Sequence, residues 1–95
     1  MKSSANDRAK EARDIIAKQI EELGKIVQRA KMDQDFNAAR ERLRRWKDKT
    51  VQLLAKHVNA AEAERLRNKR KRSFIMGNPL RNLADEADMY RGLLQ

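Results

Sequence analysis

The sequence contains no cysteine, one proline and three glycines. Because it has no thiols, it supports neither a disulfide framework nor a thiolate metal site. Proline and glycine are the residues that most strongly interrupt regular structure, so few interruptions are expected. Aromatic residues are also scarce, with one Trp, one Tyr and two Phe. That scarcity leaves few side chains for stacking on the bases of a nucleic acid.

Long apolar runs are missing too. No segment of the sequence approaches the roughly 20 apolar residues that cross a bilayer. Residues 1–11 are mainly polar and lack the apolar stretch of a signal peptide. We therefore predict a cytoplasmic protein without a membrane segment.

What the chain does contain is charge and helix-forming residues. Hydrophobic residues make up 40% of its 95 residues and charged residues 39%, a mixture typical of helical bundles. Its length predicts a single domain over residues 1–95 with a modest core. The net charge of +9 suits nucleic acid, an anionic surface or an acidic protein partner, and does not choose among them. The charge is spread evenly along the chain, which argues against a dedicated nucleic-acid-binding tail.

The segment from Asp35 to Val58 carries the clearest helical pattern. Its bulky residues recur at alternating steps of three and four, and they are Phe36, Ala39, Leu43, Trp46, Thr50, Leu53 and His57. Val51 and Leu54 widen the same stripe. This spacing predicts a central helix that buries one face against the other helices.

A first helix is predicted from the cap residue Ser4 to about Lys31, after a frayed start at residues 1–4. The connection over 32–35 is short, and either Asp33 or Asp35 is placed to cap the central helix. A link this short makes the first two helices antiparallel neighbours.

Two further helices are predicted after the central one. Asn59 and Glu62 have the spacing of a capping box, which starts a short helix at Ala60 that runs to about Lys69. Residues 70–77 read as an irregular connection that is both basic and apolar. Asn78 followed by Pro79 then marks the start of a last helix. The predicted fold is an all-α bundle of three longer helices and one short helix, built on an antiparallel helical hairpin.

No catalytic arrangement is visible in the sequence. His57 is the sole histidine, and neighbouring positions offer neither a nucleophile nor further metal ligands. Asp85, Glu86 and Asp88 cluster on one predicted helix, whereas a carboxylate metal site needs ligands from more than one element. No glycine-rich loop follows a strand, which excludes a nucleotide-binding fold. We therefore predict a protein that is not an enzyme and has no metal or cofactor.

Basic residues follow the central helix in two sets at helical spacing. They are Arg40, Arg44 and Lys47 on one face, and Arg42, Arg45 and Lys49 on a neighbouring face. Glu41 and Asp48 are placed to neutralise Arg45 and Arg44, so the excess of positive charge on this helix is smaller than the count.

A denser basic stretch covers the end of the short helix and the residues after it, and it is predicted to lack such acidic partners. Its residues are the candidate contacts to an anion or a nucleic acid, and they are Arg65, Arg67, Lys69, Arg70, Lys71 and Arg72. Lysine and arginine at this density bind phosphates with a strong dependence on salt. No motif of a known nucleic-acid reader accompanies them.

The residues from Arg45 to Thr50, which read R-W-K-D-K-T, are followed by A-E-A-E-R-L and then by S-F-I-M-G-N-P-L-R-N-L and a tyrosine-bearing helix. Over residues 36–95 this resembles helical regions of bacterial proteins that also carry a TIR-like predicted nucleotide-binding domain. The resemblance implies a non-catalytic helical module that assembles or regulates an effector. The TIR-like domain itself is absent from this sequence, so no activity and no functional residue is carried over.

Two functions are predicted from these observations. The first is a non-enzymatic protein-interaction or oligomerisation module that self-associates or binds a helical partner, since three helices carry long apolar stripes. Its core or interface anchors are Phe36, Leu43, Trp46, Leu53, Leu54, Leu83 and Tyr90. The alternative is a small basic nucleic-acid-binding protein that uses the stretch from Arg65 to Arg72.

Overall fold

The computed structural model describes residues 4–70 and 77–95, and this part of the chain folds into four α-helices without a strand. Helix α1 spans Ser4–Asp33, α2 spans Phe36–His57, α3 spans Ala60–Asn68 and α4 spans Pro79–Leu94. The predicted all-α bundle of three longer helices and one short helix is confirmed. Of the predicted irregular connection, residues 71–76 lie outside the described part.

Three helices begin where a capping residue stands in the sequence. The side chain of Asp35 accepts a hydrogen bond from the Ala38 amide at 3.1 Å and starts α2. Asn59 starts α3 in the same way, and Asn78 starts α4 with Pro79 in its first turn. Each such cap contributes about 1 kcal/mol to stability, so local sequence fixes these three boundaries.

Helix α1 differs slightly from its prediction. Ser4 is already helical, so it is not the cap residue that the sequence suggested, and α1 continues to Asp33 rather than ending near Lys31. Gln34 then adopts a left-handed conformation with φ 56°. Its amide still donates to the Ala30 carbonyl at 2.9 Å. The turn between α1 and α2 therefore needs only Gln34 and Asp35.

The first two helices form the predicted antiparallel hairpin, and side-chain contacts set its register. The indole Nε1 of Trp46 donates to the backbone carbonyl of Gln19 at 2.8 Å. Lys49 pairs with Glu22 at 2.5 Å, and further along His57 lies 3.0 Å from Glu11. From Trp46 to His57 along α2, the contact on α1 moves back from Gln19 to Glu11, so the two helices run in opposite directions.

The core lies where all four helices meet. Its buried hydrophobic residues are Leu23, Ala30, Ala39, Leu43, Trp46, Val51, Leu54, Ala63, Leu66, Leu83, Ala87 and Tyr90. Trp46 of α2 stacks on Tyr90 of α4, with ring centroids 5.8 Å apart. Five of the predicted anchors are thus buried, whereas Phe36 and Leu53 lie half-buried at the edge. No helix in residues 4–70 and 77–95 has the length and apolarity needed to cross a membrane.

Candidate anion-binding cleft

A cleft of about 510 Å³ opens between α2, the end of α3 and α4. Its lining residues are Arg40, Leu43, Arg44, Lys47, Asp48, Val51, Gln52, Arg67, Arg70, Glu86 and Tyr90. Five of these side chains are cationic and two are carboxylates. The cleft therefore concentrates positive charge drawn from two separate parts of the sequence.

Helix α2 supplies one wall through its periodicity. Arg40, Arg44 and Lys47 are spaced by four and then three residues, which places them on one face of the helix, and all three line the cleft. The second set of α2 cations, Arg42, Arg45 and Lys49, lies elsewhere and lines a groove of about 360 Å³ between α1 and α2. The two sets that the sequence put on neighbouring faces are thus divided between two grooves.

Lys47 is the least exposed cation of the cleft, since the other four are exposed and Lys47 is half-buried. Its Nζ donates to the backbone carbonyl of Lys69 at 2.8 Å and lies 5.0 Å from the centroid of the Tyr90 ring. Burial lowers the pKa of Lys47, and the nearby positive charge of Arg70 lowers it further. Two cations are therefore held close together, and an anion between them would relieve their repulsion.

Tyr90 and Glu86 form the α4 side of the cleft. The hydroxyl of Tyr90 donates to Glu86 at 2.8 Å. Burial raises the pKa of Tyr90, and the hydrogen bond to Glu86 and the negative charge of Glu86 raise it further. The tyrosine is 3% exposed, with Trp46 stacked against it and Lys47 over its ring. No face of this ring is free to stack on a base.

Several of the arginines already have acidic neighbours. Arg44 pairs with Glu41 at 2.5 Å and with Asp48 at 3.5 Å, and Arg45 lies 3.4 Å from Glu41. The hydrogen bond from Arg44 lowers the pKa of Glu41. Both neutralising pairs predicted from the sequence are present. All of these groups are largely in water, where an ion pair contributes little to stability.

The prediction that the basic stretch from Arg65 to Arg72 lacks acidic partners is wrong for two of its residues. Arg65 pairs with Glu62 at 3.0 Å, and Arg67 pairs with Glu64. Both pairs join residues three apart on one helix, a spacing that brings side chains together. The sequence signal was therefore present, in the acidic residues that precede the stretch.

The structure brings only part of the predicted basic stretch into the cleft. Arg67 and Arg70 line it, and Arg70 donates to the backbone carbonyls of Arg67 and Lys69. Arg65 is exposed and does not line the cleft, and Lys69 contributes its backbone carbonyl to Lys47. Lys71 and Arg72 lie outside the described residues.

Sequence reasoning missed how the cleft is assembled. Arg40, Arg44 and Lys47 were recognised as one face but were not joined to the stretch after α3. The sequence pattern places Glu86 only in a carboxylate cluster on one helix, and it predicts Tyr90 only as a core or interface anchor. The helical spacing of the α2 cations is the available signal. It identifies one wall of the cleft, but it does not indicate which residues form the opposite wall.

His57 and Asp88 lie outside the lining of the cleft and contact charged side chains. His57 Nδ1 lies 3.0 Å from Glu11 and so ties the end of α2 to α1. Asp88 pairs with Arg91 on its own helix at 3.0 Å. Within residues 4–70 and 77–95, no group of three or more histidine, aspartate or glutamate side chains is placed to hold a metal ion.

Comparison of the chain with protein families, with curated proteins and with solved structures finds no match in any of the three.

Proposed function

We propose that this protein is a non-enzymatic binding module whose cleft holds the phosphate groups of a nucleic acid. Of the two functions predicted from the sequence, this is the alternative, and one observation favours it. Arg40, Arg44 and Lys47 of α2 face the same cleft as Arg67 and Arg70. Cations from two walls converge there, which neither stretch of sequence provides by itself.

Binding would be electrostatic. Each phosphate that a lysine or arginine neutralises releases condensed counterions, so affinity falls as salt rises. Two of the five lining cations, Arg44 and Arg67, already have carboxylate partners. Arg40, Lys47 and Arg70 are the cleft cations that hydrogen-bond only to neutral groups among the described contacts. They are therefore the principal phosphate contacts in this proposal.

A matched pair of double variants tests the proposal. Arg40→Gln with Arg70→Gln removes two charges from the cleft, whereas Arg13→Gln with Lys18→Gln removes two charges from α1 residues that are exposed and do not line it. Binding of a labelled oligonucleotide is measured by fluorescence anisotropy over a salt series. We expect the cleft variant to weaken binding at least about tenfold and the α1 variant about twofold.

The slope of log K against log salt provides a second readout. With three principal contacts to a single strand, we expect a slope of about −2, which falls in magnitude by about 0.7 for each contact removed. Equal losses in the two double variants would show that the whole basic surface, not the cleft, attracts the oligonucleotide. No binding at low salt would remove the proposal.

The cytoplasmic location predicted from the sequence and the bacterial origin implied by the resemblance belong to this proposal as well. The resemblance to helical regions beside TIR-like domains supports a role as the regulatory part of a larger bacterial effector system. In such a system, nucleic acid bound in the cleft would change how the module regulates its effector. Copurification of this chain with an adjacent effector from its native host would test that role.

A further inference from the structure

We infer that the cleft takes a flexible single-stranded phosphodiester chain and discriminates against a duplex, reading the backbone and not the bases. This inference rests on the proposed function and names its ligand class. The volume of the cleft, the spacing of its cations and the covering of Tyr90, the aromatic ring among its described lining residues, support it.

The volume of the cleft favours a single strand. At about 510 Å³ it is the size of a small-molecule pocket, which ranges from roughly 300 to 1,000 Å³. One or two nucleotides fit in such a space. A duplex is much wider than its own major groove of about 12 Å, so it would touch only the rim of the cleft. A single strand would reach the cations on the walls.

The cations of α2 also suit a strand laid along the helix. Arg40 and Lys47 are seven residues apart, about 10 Å at the rise of 1.5 Å per residue in an α-helix. That length spans about three nucleotides of one stacked strand, which rises by about 3.4 Å per nucleotide along its axis. Arg67 and Arg70 line the same cleft from the end of α3. A strand between these walls gains cations on two sides.

No aromatic ring among the described cleft residues is free to stack, and this determines which part of the strand the cleft contacts. Proteins that hold single strands by their bases stack them on exposed aromatic side chains. Among the described residues that line the cleft, Tyr90 is the one aromatic residue, and it is 3% exposed between Trp46 and Lys47. The bases would therefore point away from the walls, and we expect little preference between sequences.

Two isosteric variants locate the strand. Gln52 lines the cleft on α2, and Gln28 is exposed on α1 away from it. Gln52→Glu and Gln28→Glu each add one negative charge to the protein. Any difference between their affinities for the strand therefore depends on where that charge lies. Anisotropy is measured with a single-stranded oligonucleotide and with the duplex of the same length, and circular dichroism verifies that both variants fold.

We expect wild type to bind the single strand at least about fivefold more tightly than the duplex. We expect Gln52→Glu to weaken single-strand binding about fivefold or more, and Gln28→Glu to change it less than about twofold. A duplex bound as tightly as the single strand would overturn the inference and leave the proposed function standing. Equal effects of the two variants would overturn it also. Failure of both probes to bind at low salt would instead remove the proposed function.

Inorganic polyphosphate tests the readout, because it has the phosphate chain without bases. Recognition of the backbone is supported if polyphosphate displaces the labelled strand at a phosphate concentration similar to that of unlabelled single strand. Displacement at a concentration far lower would overturn nucleic acid as the occupant, and no displacement would overturn recognition through phosphate alone.

Discussion

At the scale of single residues, Trp46, Lys47 and Tyr90 join the core to the cleft. Trp46 fixes the hairpin through its hydrogen bond to Gln19 and packs on Tyr90. The ring of Tyr90 lies beneath the ammonium of Lys47, and its hydroxyl donates a hydrogen bond to Glu86. A cation near an aromatic face is stabilised by about 0.5–1 kcal/mol at exposed sites and more when desolvated. Packing in the core thus orients the charged wall of the cleft.

Trp46→Phe should lower the free energy of unfolding by about 1–3 kcal/mol, because it removes a buried hydrogen bond and leaves a small cavity. Urea unfolding followed by circular dichroism measures this loss. Met32→Ala is the control, since Met32 is 79% exposed and its loss should change stability by less than about 0.5 kcal/mol. Equal stability of Trp46→Phe and wild type would contradict the importance of the indole contact.

Tyr90 is the single tyrosine, so its titration is directly visible as tyrosinate absorbance. Its pKa is raised in the folded state by burial and by Glu86, whereas an unfolded tyrosine ionises near pH 10. The stabilisation is therefore complete below about pH 10 and is lost as pH rises from there toward the folded pKa.

We expect no tyrosinate signal from the folded protein near pH 10, and its appearance together with unfolding at higher pH. Glu86→Gln should let Tyr90 ionise at lower pH than in wild type, because the nearby negative charge is gone. A wild-type titration centred near pH 10 while the protein remains folded would refute the buried position of the hydroxyl.

At the scale of elements, local chemistry and packing contribute differently to each helix. Caps and Pro79 fix the starts of α2, α3 and α4. Helix α3 has only nine residues, too few for an isolated helix to be stable in water. Burial of Ala63 and Leu66 in the core therefore holds it, and with it the position of Arg67 at the cleft.

Two glycine substitutions separate helix propensity from backbone strain. Gly24 lies inside α1, and an added Cβ would meet only Arg91 Nη2 at an ordinary 3.8 Å. Gly24→Ala should raise the free energy of unfolding by about 0.5–1 kcal/mol. Gly77 has φ +77° with open space around it, so Gly77→Ala should lower it by about 1 kcal/mol.

Thermal unfolding of the two variants beside wild type measures both changes. Opposite signs are expected. A loss of stability in Gly24→Ala would mean that α1 and α4 need the closer approach that glycine permits.

At the scale of the whole molecule, the apolar stripes predicted to drive self-association pack against one another inside the chain. Met32 is the exposed large hydrophobic residue of the described part, and a single one does not make an interface patch. Self-association stays a prediction from the sequence, with less physical support than the basic cleft. The net charge of +9 also makes copies of the chain repel one another at low salt.

We therefore expect light scattering to give the mass of a monomer, 11.1 kDa, across a dilution series at micromolar concentrations. Repeating the series at high salt controls for charge repulsion. A mass that doubles as concentration rises would revive the oligomerisation module as the main function.

The sequence by itself determined the helices, because their signals are local. The three-four spacing of Leu43, Trp46 and Thr50, and caps such as Asn59, act over three or four residues. The neutralising pairs on α2 were readable for the same reason. The pair of Arg65 with Glu62 is equally local, and its signal lies in the acidic residues before the basic stretch.

Only the tertiary structure decided which side chains share the cleft. Lys47 and Arg70, or Trp46 and Tyr90, are far apart in the sequence, and their proximity depends on how α3 and α4 pack against α2. The separation of the α2 cations into two grooves has the same origin, since α1 packs on one side of α2 and the end of α3 with α4 on the other. Helical periodicity places a residue on a face, and packing between helices determines what that face meets.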